Sequence, residues 1–295
     1  MNKILLILVT VLISSCNDKN QLRSQENINI NYYKYLSEVN LPDELSFCDT
    51  KYPLNDPEVR ERAEREFYLL LQQPAQIILY IKRSGRYFPM FEQFLRQEGV
   101  PDDLKYLSVA ESALYMSRST AGAVGLWQFM PETAKVMGLT VNDYIDERRN
   151  PEKSTLAAIK YLKQGYRQHK SWLLTAAGYN MGHTGVANNV DFQYSSDYFD
   201  LFLNEETSRY LFRIAIIKEI MSNPNKYGFN LSEIERYKPS KQNIIKIDTE
   251  IQDLSAWAKV NGTTYKNIKI LNPWILKRSL PKLPKGTVYE IAIPN

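Results

Sequence analysis

Cysteine and histidine are nearly missing from this chain, with two of each in 295 residues. Zinc sites, disulfide frameworks and haem attachment all need more ligands or a recognisable spacing, so metal chemistry is not expected and no cofactor is called for. Charge of one sign is also scarce. Lys and Arg total 37 against 33 Asp and Glu, and the net charge of +4 is too small a surplus to argue for nucleic acid. A diffuse attraction to anionic surfaces stays open. Long apolar runs are absent too: the longest, residues 4–13, is interrupted by Thr10 and is too short to span a bilayer. Aromatics, by contrast, are plentiful, with 20 Tyr, 11 Phe and 4 Trp. That load suits sugar or peptide recognition, though a buried core is its commoner use. A 44% hydrophobic and 24% charged composition excludes a disordered tail or a polytopic membrane protein and leaves room for one large domain or two modest ones.

The short apolar run reads as the core of a signal peptide, preceded by the basic start Met1-Asn2-Lys3. It ends in Ile13-Ser14-Ser15-Cys16, which resembles the bacterial lipoprotein cleavage box. That resemblance implies loss of residues 1–15 and lipidation of Cys16; an ordinary secretory signal with an incidental cysteine is the alternative. Cys48 would then be a lone thiol in an oxidising compartment. Residues 17–31, rich in Asn, Gln, Ser and Glu, read as a solvated tether.

Beyond the tether the punctuation is helical. Pro57 opens a charged helix that runs to Leu71, and a second is expected over residues 75–83, stopped by Gly85. Pro101-Asp102-Asp103 and Asn150-Pro151-Glu152 are helix starts, with proline in the first turn and acids at the positive end of the dipole. Leu156, Ile159, Leu162 and Tyr166 form the expected inner stripe of one helix; Leu211, Ile214, Ala215, Ile217 and Met221 form that of another, stopped by Asn223-Pro224. Residues 172–179 make a further short helix. After Tyr227-Gly228 a polar stretch reads as a linker, and residues 244–295 read as strand, helix, helix, strand. The expected fold class is therefore mainly α: an all-helical domain followed by a small α+β module. The expected boundaries are 1–15 signal, 16–50 tether, 51–228 helical domain, 229–243 linker and 244–295 module.

The most informative segment is residues 101–114. Wound at 100° per residue, it places Glu111 between Leu104 and Leu107 on an apolar stripe. A buried Glu paired with a base is the bland reading of such a residue. The following loop, however, carries Gly122 and Gly125, which allow close backbone approach to a ligand, and then Trp127-Gln128-Phe129.

Glu111-Ser112, Gly125-Leu126-Trp127-Gln128-Phe129 and Ala177-Gly178-Tyr179-Asn180-Met181-Gly182, in that order and spacing, resemble the signature motifs of lytic transglycosylases with the soluble-transglycosylase, goose-lysozyme-like fold. The variant followed by Met130-Pro131, with Asp146-Glu147-Arg148-Arg149-Asn150-Pro151 further on, is most similar to the membrane-bound lytic transglycosylase D group. The resemblance covers roughly residues 55–225, and departs from the usual pattern at Trp127, where many relatives carry Met, and at Gly178, where Ala is usual. It implies that Glu111 is the catalytic acid and then base, cutting the β-1,4 bond between N-acetylmuramic acid and N-acetylglucosamine in peptidoglycan. The muramic 6-hydroxyl would close onto the anomeric carbon, giving a 1,6-anhydro product without water. It further implies substrate contacts at Ser112 and Gln128, a Tyr179 hydroxyl that orients Glu111, and an Asn180 that ties its loop together. Structural alternatives are a back-bonded helical serine, a loop amide and core packing. His183 just past the last motif reads as a loop residue.

An ordinary hydrolase would need a second carboxylate ~5–9.5 Å from the first. Asp103 sits about 12 Å along the axis and is too far; Asp143, Asp146 and Glu147 stay open as candidates but read as a solvated turn. The C-terminal segments around Trp257 and Leu271-Asn272-Pro273-Trp274 resemble a LysM-like peptidoglycan-binding module, with Asn272-Pro273 as the better candidate for glycan contact. The partners implied are glycan strands and, through Cys16, a membrane, with the protein at the cell envelope, on the outer membrane facing the periplasm; nucleic acid is not implied. A goose-type hydrolase and a non-catalytic peptidoglycan-binding lipoprotein are the competing readings.

Overall fold

The structure, a computed structural model, describes residues 31, 32 and 34–295. Cys16 and the signal segment lie outside the described residues. Residues 34–38 are helical and are described by themselves; Lys34 and Glu38 stand 3.8 Å apart on that turn. Residues 43–295 form one compact unit. Among the described residues no helix is long and apolar enough to cross a membrane.

The unit opens with a two-strand hairpin, β1 (Ser46–Phe47) and β2 (Thr50–Lys51), and continues through α1 (Pro57–Leu71), α2 (Pro74–Gln97), α3 (Lys105–Ser112), α4 (Pro131–Met137), α5 (Pro151–His169), α6 (Trp172–Met181), α7 (His183–Gln193) and α8 (Glu205–Ser222). Capping explains most of the boundaries. The Asp56 carboxylate accepts from the amides of Glu58 and Val59, Asn150 from Lys153, Ser171 from Leu174 and Asn204 from Thr207, while proline fills the first turn of α1, α2, α4 and α5.

Helix α8 is the axis of the domain. Tyr210, Leu211, Phe212, Ile214, Ala215, Ile216, Ile217 and Ile220 are all buried, which covers its whole circumference, and α1, α3 and α6 pack around it. The expected inner face is present, and burial extends around the helix well beyond it.

Three helix expectations need correcting. α2 does not stop at Gly85; it runs through Gly85 and Pro89 because Ile77, Ile81, Phe91 and Leu95 bury one continuous face. Gly85 is there for a different reason, since a Cβ would come within 2.7 Å of Arg236 Cβ and 2.8 Å of the Tyr237 carbonyl. Arg236 and Tyr237, from the polar stretch after Gly228, thus lie across α2, and Tyr237 donates its amide to the Lys82 carbonyl at 2.8 Å. On α5 the stripe is rotated: Leu156 and Tyr166 are exposed, and Ser154, Thr155, Ala158, Ile159, Leu162 and Gly165 face inward. Small residues there let α6 approach closely. Finally, His183 is not a loop residue but the first residue of α7.

The C-terminal part is β3 (Gln242–Ile247), α9 (Leu254–Val260), α10 (Tyr265–Leu271) and β4 (Tyr289–Pro294), with β3 and β4 antiparallel and Ile245 opposite Ile291. The fold is mainly α with a small α+β module, as expected. Asn272 does not present itself to a glycan. It is 1% exposed, its amide donates to the Ile268 and Ala292 carbonyls at 2.9 and 2.7 Å, and its oxygen accepts from the Ala292 amide at 2.8 Å. It stitches α10 to β4.

Replacing Asn272 with Ala leaves the buried Ala292 amide and carbonyl without these partners, at about 1–3 kcal/mol each. Urea denaturation should therefore show Asn272→Ala losing about 2–4 kcal/mol of stability; a midpoint indistinguishable from the parent chain would show that the stitch contributes nothing.

Candidate active site

Helix α3 is short, and Glu111 lies in its last turn. Ala113 and Leu114 directly after it are both left-handed, with φ of 56° and 53°. Two such residues in a row are strained, and they persist because Leu114 is buried and Arg83 donates to the Ala113 carbonyl at 3.0 Å. The helix is thereby cut off one residue after Ser112, so the end of α3 opens onto the loop of residues 115–130.

Glu111 is partly exposed as a residue, yet its carboxyl is withdrawn from water. Burial pushes its pKa from 4.5 up to about 7. The Tyr210 hydroxyl, donating to Glu111 Oε1 at 2.5 Å, and the Arg213 charge pull it back down, and Glu206 pushes it up. A carboxyl at about 7 holds or releases a proton with equal ease near neutral pH, the property needed of one group serving as acid and then base. Arg213 stacks its guanidinium 5.8 Å from the Tyr210 ring centre. Its Nε is buried and makes no hydrogen bond among the described residues.

The motif residues converge on this corner, mostly by holding one another. Ser108 and Ser112 both donate to the Leu126 carbonyl, at 2.9 and 2.8 Å, clamping α3 to the glycine loop. Trp127 is fully buried and donates its indole N–H to Thr155 Oγ1 at 2.9 Å. Gln128 adopts a left-handed φ of 47°, and its amide nitrogen turns inward to the Gly125 carbonyl at 2.8 Å and Ser117 Oγ at 3.2 Å. Gly125 admits backbone of the protein itself rather than a ligand, since a Cβ there would lie 2.0 Å from the Arg148 carbonyl oxygen.

Tyr179 is placed differently from its expected role. Its hydroxyl donates to the Trp127 carbonyl at 2.7 Å, and the hydroxyl on Glu111 belongs to Tyr210. The Tyr179 ring packs against Tyr161 and Phe129, with ring centres 5.6 and 6.2 Å apart. Asn180 bridges α6 to the start of α8: its oxygen accepts from Thr207 Oγ1 at 2.7 Å and its nitrogen donates to Glu206 at 3.3 Å.

The carboxylates considered as second acids are elsewhere engaged. Asp103 takes Lys218 at 2.6 Å and the Cys48 amide at 2.7 Å. Asp146 is 4% exposed and paired with Arg148, and Glu147 caps the Thr140 amide at 2.7 Å, so this run is a buried brace and not a solvated turn. Asp143 is exposed. The carboxylate that does act on Glu111 is Glu206, which sequence reasoning passed over together with Tyr210 and Arg213. A signal was present in Arg213, a charged residue flanked by Phe212 and Ile214, the same kind of anomaly that marked Glu111.

His183 fills the space between α5 and α6. A Cβ on Gly165 would lie 2.1 Å from its ring, and one on Gly178 would lie 2.2 Å away. This accounts for glycine at position 178. Burial lowers the His183 pKa to about 4, so the ring is neutral near pH 7.

Residues 89–202 match the Transglycosylase SLT domain family, and residues 243–295 match the Soluble lytic transglycosylase C-terminal LysM-like domain family. The membrane-bound lytic murein transglycosylase D of Escherichia coli strain K12 is 31% identical over 143 residues, covering 46% of this chain and 32% of that protein; the protein of the same description from strain O6:H1 matches equally. The match thus spans about a third of the length of these curated relatives. Two solved structures align to about half of this chain. The inactive mutant of lytic transglycosylase Slt from Pseudomonas aeruginosa is 21% identical with a TM-score of 0.39, covering 51% of this chain and 26% of that one. The 70 kDa soluble lytic transglycosylase of Escherichia coli is 20% identical with a TM-score of 0.41, covering 52% and 27%.

The raised pKa has a thermodynamic consequence. Between pH 4.5 and about 7 the folded chain holds a proton on Glu111 that the unfolded chain has lost, so this group makes stability fall as pH rises through that window. Glu111→Gln removes the penalty and should stabilise the chain by up to ~3 kcal/mol at about pH 8 and by nothing below pH 4.5. Denaturation curves at both ends of the window check this; an equal offset at both would mean that the carboxyl is not desolvated. Tyr210→Phe deletes the bond that favours the charged form and should move the Glu111 carboxyl infrared titration above about 7.

Proposed function

From the premise that the chain carries a transglycosylase SLT domain at residues 89–202 and a LysM-like domain at residues 243–295, we propose that it is a lytic transglycosylase acting on the glycan strands of peptidoglycan. The observation that carries the reading is the Glu111 carboxyl, desolvated to a pKa of about 7 and held by the Tyr210 hydroxyl at the open end of α3.

In this proposal protonated Glu111 donates to the glycosidic oxygen between N-acetylmuramic acid and N-acetylglucosamine as oxocarbenium character develops at the anomeric carbon. The resulting carboxylate takes the proton of the muramic 6-hydroxyl, whose oxygen closes onto that carbon to give the 1,6-anhydro sugar. Tyr210 holds the carboxyl in place through both steps. Gln128 and Asn180 are the proposed substrate contacts. Ser112 and Tyr179, whose protons go to the Leu126 and Trp127 carbonyls, hold the loop that bears Gln128. The membrane-bound character stated for the Escherichia coli relative supports a place at the cell envelope. Lipidation of Cys16 would anchor the chain there, on the outer membrane facing the periplasm, with residues 1–15 as signal. The tether ends before the β1–β2 hairpin and its buried Phe47 rather than at residue 50, the stretch after Gly228 is packed on α2 through Tyr237 rather than a free linker, and the wall-binding module starts with β3 at Gln242 rather than at residue 244.

One observation favours a second reading. Glu206 acts on Glu111, so a goose-type hydrolase would find its second carboxylate there and not among residues 143–147. Mass spectrometry of murein digests separates the cases. The full chain should release anhydromuramic products, Glu111→Gln should release none, and Glu206→Gln should keep the anhydro product. Reducing-end products that vanish with Glu206→Gln would establish the hydrolase, and intact murein throughout would leave a binding protein.

A further inference from the structure

The C-terminal module grips the helical domain at a place that leads straight to the catalytic corner. Ile145 is 5% exposed and sits in the module's own apolar core, among Leu254, Ile268, Ile275 and Ile291. Backbone bonds flank it on both sides: the Leu276 amide donates to the Tyr144 carbonyl at 2.8 Å, and the Asp146 amide donates to the Trp274 carbonyl at 2.9 Å. The Asp146 carboxylate then receives Arg148 through two bonds, Nε at 2.8 Å and Nη2 at 2.9 Å, with both side chains under one-tenth exposed. Arg148 passes the contact on. Its Nη1 donates to the Phe129 carbonyl at 3.0 Å and the Gly122 carbonyl at 3.1 Å, and its own carbonyl fills the place of a Cβ on Gly125. Gln128 lies between these contacts.

We propose that the module is a brace for the Gln128 loop, with Ile145 and Asp146 as its positioning residues, in addition to any hold it has on the wall. This rests on the transglycosylase reading for its catalytic readout. The physical need is plain. Gln128 is a non-glycine residue at positive φ, a conformation of order 1–3 kcal/mol above the extended one, kept only where the surroundings over-determine it. A bidentate, buried Asp–Arg pair is a rigid strut, and it is costly unless both partners are held in register. The module supplies that register on the Asp146 side through Trp274 and Ile145. Asn272, the residue best suited to meet a glycan, is consumed inside the module.

The test uses the full chain and two substitutions at one site. Ile145→Ala removes most of the side chain that the module encloses, and Ile145→Val keeps its shape less one methyl. Three measurements are made: turnover of a short soluble murein fragment that needs no tethering, cosedimentation with murein sacculi, and hydrogen exchange at the Val124 and Phe129 amides, which bond to each other's residues across the loop. The expected result for a folded Ile145→Ala is a kcat lower by about tenfold or more. Cosedimentation should be unchanged, exchange at Val124 and Phe129 faster, and Ile145→Val close to the parent. Unchanged kcat and unchanged exchange in folded Ile145→Ala would overturn the brace, as would a defect confined to sacculus binding. Should Ile145→Ala fail to fold, Asp146→Asn, which keeps the shape of the strut and removes the charge that Arg148 Nε and Nη2 meet, decides by the same readout: faster exchange at Val124 and Phe129 supports the brace, and parent-like exchange overturns it. A parent chain that cleaves nothing would remove the transglycosylase reading, and the exchange at Val124 and Phe129 would still decide the brace.

Discussion

A carboxyl group kept from water with a single hydroxyl for company is the condition that the rest of this chain has to meet. Ionised Glu111 is disfavoured by its surroundings, and among the described residues the side-chain hydrogen bond that steadies it comes from Tyr210. That bond spans from the last turn of a short helix to the second turn of α8, so its length depends on how α8 is seated. Burial around the full circumference of α8 seats it: with α1, α3 and α6 packed against it, the helix cannot roll to relieve the contact.

The loops obey the same logic on a smaller scale. Ala113, Leu114 and Gln128 all hold left-handed backbone that a free peptide would leave: Arg83 pins Ala113, burial holds Leu114, and Tyr179 on Trp127 and Arg148 on Phe129 fix the two neighbours of Gln128. The polar motif residues are therefore chiefly a frame. Their hydrogen bonds run to one another and to main-chain carbonyls, so a rigid opening forms around Glu111 without regular secondary structure over residues 115–130.

What the sequence discloses here is local and what it hides is not. Helix starts at Pro57 and Asn150-Pro151 are legible because capping is a matter of four adjacent residues, whereas Pro101 opens only the tight turn Asp102–Leu104 and α3 itself begins at Lys105. Glu111 is legible because a carboxylate on an apolar stripe contradicts its neighbours. Gly85 misleads, because its meaning comes from Arg236 and Tyr237, some 150 residues away, and the outward turn of Leu156 and Tyr166 follows from the close approach of α6 to α5. α7 has no acidic first turn or side-chain cap to announce it. Tyr210 and Ile145 look like ordinary core residues, and only the packing reveals that one faces a carboxyl and the other fills a second hydrophobic core. The Asn272 reading failed for the mirror reason: a polar residue in a turn looks available until its partners in β4 are seen.

His183, Gly165 and Gly178 are coupled through one shared volume. The imidazole occupies the volume of two absent methyl groups, so the three positions form an epistatic knot. An alanine at either glycine collides with the ring while histidine remains, and loss of the histidine leaves a void that neither glycine alone can fill. A single substitution in the trio therefore costs packing in either direction, and the clash is relieved only when the ring and a glycine are exchanged together. An unusual glycine in the last motif is thus tied to a histidine outside it by a shared volume.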